Sequence, residues 1–125
     1  MSDPRRHTGS TGEQLAADHL LRRGFDIVER NFRTRWGELD IIAFDGRTLV
    51  FCEVKCRRSS AGGPPVDPLE SVRPAKRSQV RRMAARWLVE RPDRPRAPEL
   101  RFDVIGVTLD GRDRLIRLDH LEAAF

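Results

Sequence analysis

No apolar run in the chain approaches the roughly 18 to 20 residues needed to cross a bilayer, which excludes a membrane-spanning helix. The opening stretch MSDPRRHTGSTGEQ lacks the apolar centre of a secretory signal, so a cytoplasmic protein is expected. Cysteine is scarce, with only Cys52 and Cys56. Four residues apart on a strand, their Cα atoms would lie roughly 13 Å apart, beyond the reach of a disulfide. His7, His19 and His120 are scattered, and no Cys/His cluster has zinc spacing. There is no internal repeat.

What is present is one domain's worth of chain, 125 residues, 38% hydrophobic and 34% charged. The net charge is +5, yet 19 carboxylates remain, so the basic balance is not that of a polycationic tail. Such a surface favours polyanions such as nucleic acid, or an anionic membrane.

Residues 1–9 are polar and are expected to be disordered. STGEQLAADHLLRRG then reads as a helix with Ala16, Ala17, Leu20 and Leu21 as its apolar stripe and Gly24 as its stop. FDIVERNFR reads as a strand. GELDIIAF and TLVFCEVKCR form a hairpin about Asp45-Gly46, a favoured pair for tight reversal. Glycine and proline make residues 57–70 a flexible loop, either a flap onto a ligand or a plain connector. Pro74 opens a second helix in which Val80, Met83, Ala84, Trp87 and Leu88 recur at helical spacing. LRFDVIGVTL and RLIRL are two further strands, with DHLEAAF a short helical turn at most. The order α-β-β-β-α-β-β implies an α/β fold, a central mixed sheet flanked by helices.

Three charged residues, Asp40, Glu53 and Lys55, interrupt the apolar hairpin. A two-residue turn would pair Phe44 with Arg47, hence Asp40 with Phe51 and Glu38 with Glu53. All three side chains then share one face, with the two carboxylates diagonal neighbours roughly 7 to 8 Å apart at Cα. That face also carries Ile42, Leu49 and Phe51, which want cover, so a merely wet sheet surface is the poorer explanation. Two or three carboxylates suffice for Mg²⁺, which prefers oxygen ligands and keeps several waters, and Mn²⁺ should substitute. An ammonium beside them can offset charge building on a phosphate. The pattern therefore points to metal-dependent phosphodiester hydrolysis.

The stretch GELDIIAFDGRTLVFCEVKCR resembles the PD-(D/E)xK nuclease signature of the restriction-endonuclease-like fold. The ordered set GEQLAADHLLRRGF, RNFRTRWGELDIIA, LVFCEVKCR, Lys76 and RFDVI is similar to the YraN-like family of small bacterial proteins, predicted endonucleases akin to archaeal Holliday-junction resolvases. The resemblance implies Asp40 and Glu53 as metal ligands, Lys55 as the catalytic lysine, and Glu13 as a third, helix-borne ligand. Leu39 stands where restriction enzymes often have proline. It implies a DNA substrate, and resolvase-like cutting of two symmetric strands would call for a two-fold homodimer.

Several residues keep two readings. Glu13 either completes the metal site or closes an S-x-x-E capping box with Ser10 as N-cap. Glu38 is an outer-shell ligand or a cross-strand partner for Arg33. Lys76, in line with Val80 and Met83, points toward the sheet and touches phosphate or site acids, or else snorkels. Arg33, Arg35 and Trp36 before the hairpin, and Arg57 and Arg58 after it, are candidate DNA contacts. Asp103 is expected to pair with an arginine. A non-catalytic nucleic-acid binder or an interaction subunit with the same fold is the rival reading; clustered carboxylates repel phosphate unless a cation intervenes.

Overall fold

The computed structural model of the chain describes residues 4–59 and 72–125, with side chains from residue 10 onward. Among the described residues two helices and five strands follow one another as α1 (Pro4–Arg22), β1 (Asp26–Thr34), β2 (Gly37–Phe44), β3 (Thr48–Arg58), α2 (Pro74–Glu90), β4 (Glu99–Leu109) and β5 (Leu115–Leu121). The strands form one mixed sheet in the order β1-β2-β3-β4-β5. Only β3 and β4, the pair connected through α2, run parallel; the other neighbours are antiparallel. This is the α/β arrangement, and the element order, expected of a restriction-endonuclease-like core.

Each helix covers one face. Ala16, Ala17 and Leu20 of α1 pack on Ile41, Ala43, Val50, Cys52, Ile105 and Val107. Val80, Met83, Ala84 and Trp87 of α2 pack on Leu39, Ile42, Leu49 and Phe51. The alternation of the central strands divides their side chains between these two cores, which is why they read as continuous apolar runs. The face bearing Ile42, Leu49 and Phe51 is thus a covered one. Leu21, expected in the α1 stripe, is instead 53% exposed. The indole Nε1 of buried Trp87 donates to Glu29 Oε1 at 3.0 Å, so its polar atom is satisfied.

Helix α1 begins at Pro4, well before Ser10. Ser10 therefore lies inside the helix, and the capping box expected at Ser10–Glu13 does not form. The C-terminus ends as read: Gly24 has φ +88°, Gly24 N–H donates to Leu21 O and Phe25 N–H to Leu20 O, each near 3 Å. Those are the two bonds of a Schellman ending, with Phe25 and Leu20 supplying its apolar contact in the same core.

The hairpin turn is longer than expected. Phe44 pairs with Leu49, not with Arg47, because Asp45 Oδ1 accepts the N–H groups of both Arg47 (2.9 Å) and Thr48 (2.7 Å) and folds four residues into the loop. The register shifts by two residues: Ile42 faces Phe51, Ile41 faces Cys52, and neither Asp40–Phe51 nor Glu38–Glu53 is a pair. At the other end, β3 absorbs Arg57 and Arg58, which were read as loop; the rest of that loop, residues 60–70, lies outside the described residues. Strand β5 continues through His120 and Leu121, where a helical turn was expected, because Asp103 on β4 holds His120 and the Ala123 N–H.

Candidate active site

The paired region of β2 and β3 ends at Ile41–Cys52. One more step would set Asp40 directly against Glu53, two like charges at a spacing that destabilises a sheet. Instead the strands part, and Asp40 Oδ2 accepts the Val54 N–H at 2.8 Å. A strand N–H lies in the plane of the sheet, so the Asp40 carboxylate points into the gap between β2 and β3.

From the α1 side comes Glu13. Its neighbour Gly12 lies so close to β3 that a Cβ there would sit 2.6 Å from both Cβ and Sγ of Cys56. The missing side chain lets α1 lie directly on the sheet and brings Glu13 down to β2. Carboxylate oxygens of Glu13, Glu38 and Asp40 all fall within 4.8 Å of one another, each residue half-buried. Glu38 faces Arg33 across β1–β2, with Arg33 Nε 3.3 Å from its Oε2. Glu38 is therefore the cross-strand partner of Arg33 and at the same time a neighbour of Glu13 and Asp40.

From the α2 side come two ammonium groups. Lys55 Nζ lies 3.6 Å and Lys76 Nζ 3.4 Å from Glu53 Oε1. Glu53 is only 4% exposed, and its other oxygen, Oε2, meets no hydrogen-bond donor. A buried oxygen of that kind is costly unless something positive or protic reaches it. Glu53 is not part of the close triad with Glu13 and Glu38, but its charge acts on Asp40. Lys76, at the start of α2, thus points toward the sheet and meets the acid Glu53, as the helical spacing implies.

The electrostatics point the same way. The Asp40 carboxyl is raised to about 8, first by burial and then by the charge of Glu53, with the Val54 N–H pulling down, Glu13 pushing up and Lys76 pulling down. Glu13 is also raised, by burial first; Arg30 opposes this, and Glu38 and Glu53 add to it. Burial and the neighbouring carboxylates thus outweigh the nearby cations and disfavour the charged forms of Asp40 and Glu13. Its donors are all carboxylate oxygens, the set a hard divalent cation takes. The residues present therefore fit Mg²⁺ or Mn²⁺.

One participant went unread in the sequence. Asn31, in the middle of β1, has φ +57°, the left-handed region that asparagine tolerates better than most residues. Its amide, in the orientation that satisfies both neighbours, donates to Glu13 Oε1 and Glu38 Oε1 at 2.6 Å each. The available signal was a lone asparagine inside an otherwise strand-forming stretch. Gln14, one position after Glu13, holds Arg30 through Oε1 at 3.0 Å, placing that guanidinium near the triad.

The expected DNA contacts divide. Arg33, Arg35 and Trp36 gather beside the site: Trp36 is half-buried with the Arg35 guanidinium 4.6 Å over its ring. Arg57 and Arg58 lie roughly 13 to 17 Å further along β3 from Glu53. Arg58 is drawn to the β4–β5 turn, 2.5 Å from Asp113. Asp103 is fully buried and pairs with Arg101 as expected, at 2.9 and 3.0 Å, and additionally with His120 Nε2 at 2.8 Å.

A two-helix, five-stranded mixed sheet with a carboxylate–lysine centre at the split between two strands defines the class: an α/β protein with the element order of the restriction-endonuclease-like core. Comparison with known proteins places it more narrowly. The chain belongs to the family described as "Uncharacterised protein family UPF0102", the YraN family, whose model matches residues 12–107. It is 44% identical over 121 residues to a UPF0102 protein of Chlorobium limicola, covering 94% of this chain and 90% of that one. A UPF0102 protein of Nocardia farcinica is 45% identical over 117 residues, covering 94% and 87%. A UPF0102 protein of Geobacter metallireducens is 42% identical over 125 residues, covering 100% and 97%.

Proposed function

We propose that this protein is a Mg²⁺-dependent endonuclease that hydrolyses phosphodiester bonds in DNA, with branched or structured DNA favoured by analogy with the resolvases its signature resembles. The observation that carries the reading is the buried, unpartnered Oε2 of Glu53 beside the Glu13–Glu38–Asp40 triad, with two lysines on the other Glu53 oxygen. Asp40, Glu13 and Glu38 would hold the ion, and Glu53 offers a further oxygen. Bound there, Mg²⁺ or Mn²⁺ would polarise a phosphate oxygen and make a coordinated water acidic enough to attack.

The chain's own groups have distinct tasks. Asp40 is fixed by the Val54 N–H, and Glu13 and Glu38 are held by the Asn31 amide, so the acids need little reorganisation. Lys55 keeps an ammonium at the mouth of the site, where it offsets the negative charge that builds on the phosphate. Lys76 shares Glu53 with it and leaves Lys55 one competing attraction fewer. A protein of this kind would act in the cytoplasm. Cutting two symmetric strands would use two copies of the site in a two-fold homodimer. No helix among the described residues is long and apolar enough to cross a membrane.

The test is incubation of the chain with labelled branched, single-stranded and linear duplex DNA in Mg²⁺ or Mn²⁺, beside Lys55→Ala and Asp40→Asn. Cleavage that needs the metal and drops at least a hundredfold in both variants is expected. Variants that cut as well as the parent chain would attribute any activity to a contaminant and remove the enzyme reading.

A further inference from the structure

Two cavities share Trp36 as a common wall. One, of about 860 Å³, is lined by Lys55, Arg73, Lys76, Gln79 and Arg82. The other, of about 390 Å³, is lined by Arg33, Arg35, Arg86 and one acid, Glu90. Along α2 the residues Lys76, Gln79, Arg82 and Arg86 follow one another by three, three and four positions, so they form one row. Ten helical residues carry that row about 15 Å away from Glu53.

The facing wall is the β1–β2 turn, and it is pinned. Gln79 Nε2 donates to the Trp36 carbonyl across the cavity mouth. Thr34 Oγ1 accepts the Trp36 N–H at 3.0 Å and donates to Gly37 O at 3.1 Å. The larger cavity is thus a trough with Trp36 on one wall and the first turns of α2 on the other, and Lys55 and Lys76 place its end beside Glu53.

Its charge is one-sided. Glu90 is neutralised by Arg86, whose Nε lies 2.9 Å from its Oε2. Arg73 and Arg82 are exposed and have no carboxylate partner among the described residues. Such a trough suits a string of phosphates. The half-buried indole at its waist suits unpaired bases, which can stack on it as bases inside a duplex cannot, and Arg35 already lies against the ring.

We propose that this trough binds a single-stranded stretch of DNA, with bases against Trp36 and phosphates along Arg73 and Arg82, and leads that strand to the Asp40–Glu53 centre. The choice of DNA rests on the phosphodiesterase reading above. The strand-binding surface itself rests on the trough's charge and its aromatic wall.

The experiment titrates short oligothymidine into the full chain in EDTA and follows tryptophan fluorescence. The chain has two tryptophans, and Trp87 is fully buried, so a change in emission reports Trp36. Quenching is expected, with affinity falling as salt rises by a logarithmic slope of about 0.7 per phosphate neutralised. Replacing Arg73 and Arg82 together by alanine should weaken binding about tenfold or more and flatten that slope by about 1.4. Arg112→Ala removes an equal type of charge from the distant β4–β5 turn and should change affinity less than about twofold.

A double variant that melts like the parent chain and binds as tightly would overturn the proposal. A blunt duplex that binds as tightly and quenches as strongly would overturn the single-strand assignment. Because EDTA removes cleavage from the measurement, binding without any metal-dependent cutting would leave the trough standing and the nuclease reading fallen; the opposite pair of results would do the reverse.

Discussion

Binding of a divalent cation at the acid triad should expel a proton, and the amount follows from Asp40. Its carboxyl is raised to about 8 by burial and by Glu53. At pH 7 the metal-free protein therefore holds that group about nine-tenths protonated, and a cation that takes the carboxylate must displace about 0.9 proton. At pH 9 the same group is about one-tenth protonated, and release should nearly vanish. The apparent affinity should rise about ninefold between pH 6 and 7, yet less than twofold between pH 8 and 9. Calorimetric titration of Mn²⁺ in two buffers of different ionisation enthalpy reads the proton number directly. The same shift governs stability without metal. A carboxyl raised on folding stabilises the native state fully below its ordinary value near 3.8, and that contribution is lost as pH rises through about 8. The ceiling is about 6 kcal/mol, and solvent at the open strand gap reduces it. Metal-free protein should thus lose stability from pH 4 to pH 8, while Asp40→Asn should lose much less. Proton release that is absent at pH 7, or affinity flat from pH 6 to 9, would refute both the burial argument and the placement of the cation.

Gly12→Ala should destabilise the fold by about 2 kcal/mol or more and lower the thermal midpoint, because its Cβ would collide with Cys56 on a buried strand and push α1 off the sheet. Asn31→Gly keeps the left-handed backbone but removes the amide between Glu13 and Glu38, so the midpoint should move little while Mn²⁺ affinity falls about ten- to a hundredfold. Asp103→Asn should cost about 3 kcal/mol in urea unfolding, since it leaves Arg101 short of its partner in the core. Burial pushes the Asp103 carboxyl up, but His120, Arg101 and the Ala123 N–H together hold it below its usual range. Its stabilising part is therefore present above the ordinary value near 3.8 and lost as pH falls further; the Asn variant should show a flatter acid limb.

How much of this was legible in the sequence depended on the range of each interaction. The α2 core stripe and the Gly24 stop follow from helical spacing and backbone chirality, both local, and both appear where the residues put them. The hairpin turn was misjudged because Asp45 caps two N–H groups of its own loop, a choice that the pair Asp-Gly does not reveal. The difference is an even number of residues, so strand alternation still assigns Asp40 and Glu53 to one face of the hairpin. Ser10 looked like an N-cap since Ser-x-x-Glu has that form, but Pro4 offers an earlier helix start, and Glu13 was free to serve Asp40 instead. Asn31 was invisible because its role depends on a backbone angle and on two acids from other elements. The resemblance to the YraN-like family carried Glu13, which spacing alone left undecided.

The opening between β2 and β3 and the acid centre have one cause. Regular pairing would continue from Ile41–Cys52 to Asp40–Glu53 and force two carboxylates face to face. Stopping the ladder relieves that repulsion but frees the Val54 N–H, and a buried donor left unpaired costs about 1 to 3 kcal/mol. Asp40 itself removes that penalty by accepting the bond at 2.8 Å. Doing so keeps the Asp40 carboxylate within 4.8 Å of oxygens of Glu13 and Glu38, and leaves Glu53 with Oε2 unanswered beside two lysines. The charge that breaks the sheet is therefore also what a cation would neutralise. A strand pair made regular by removing the charge from both positions, as in Asp40→Asn with Glu53→Gln, should pair further and bind no metal.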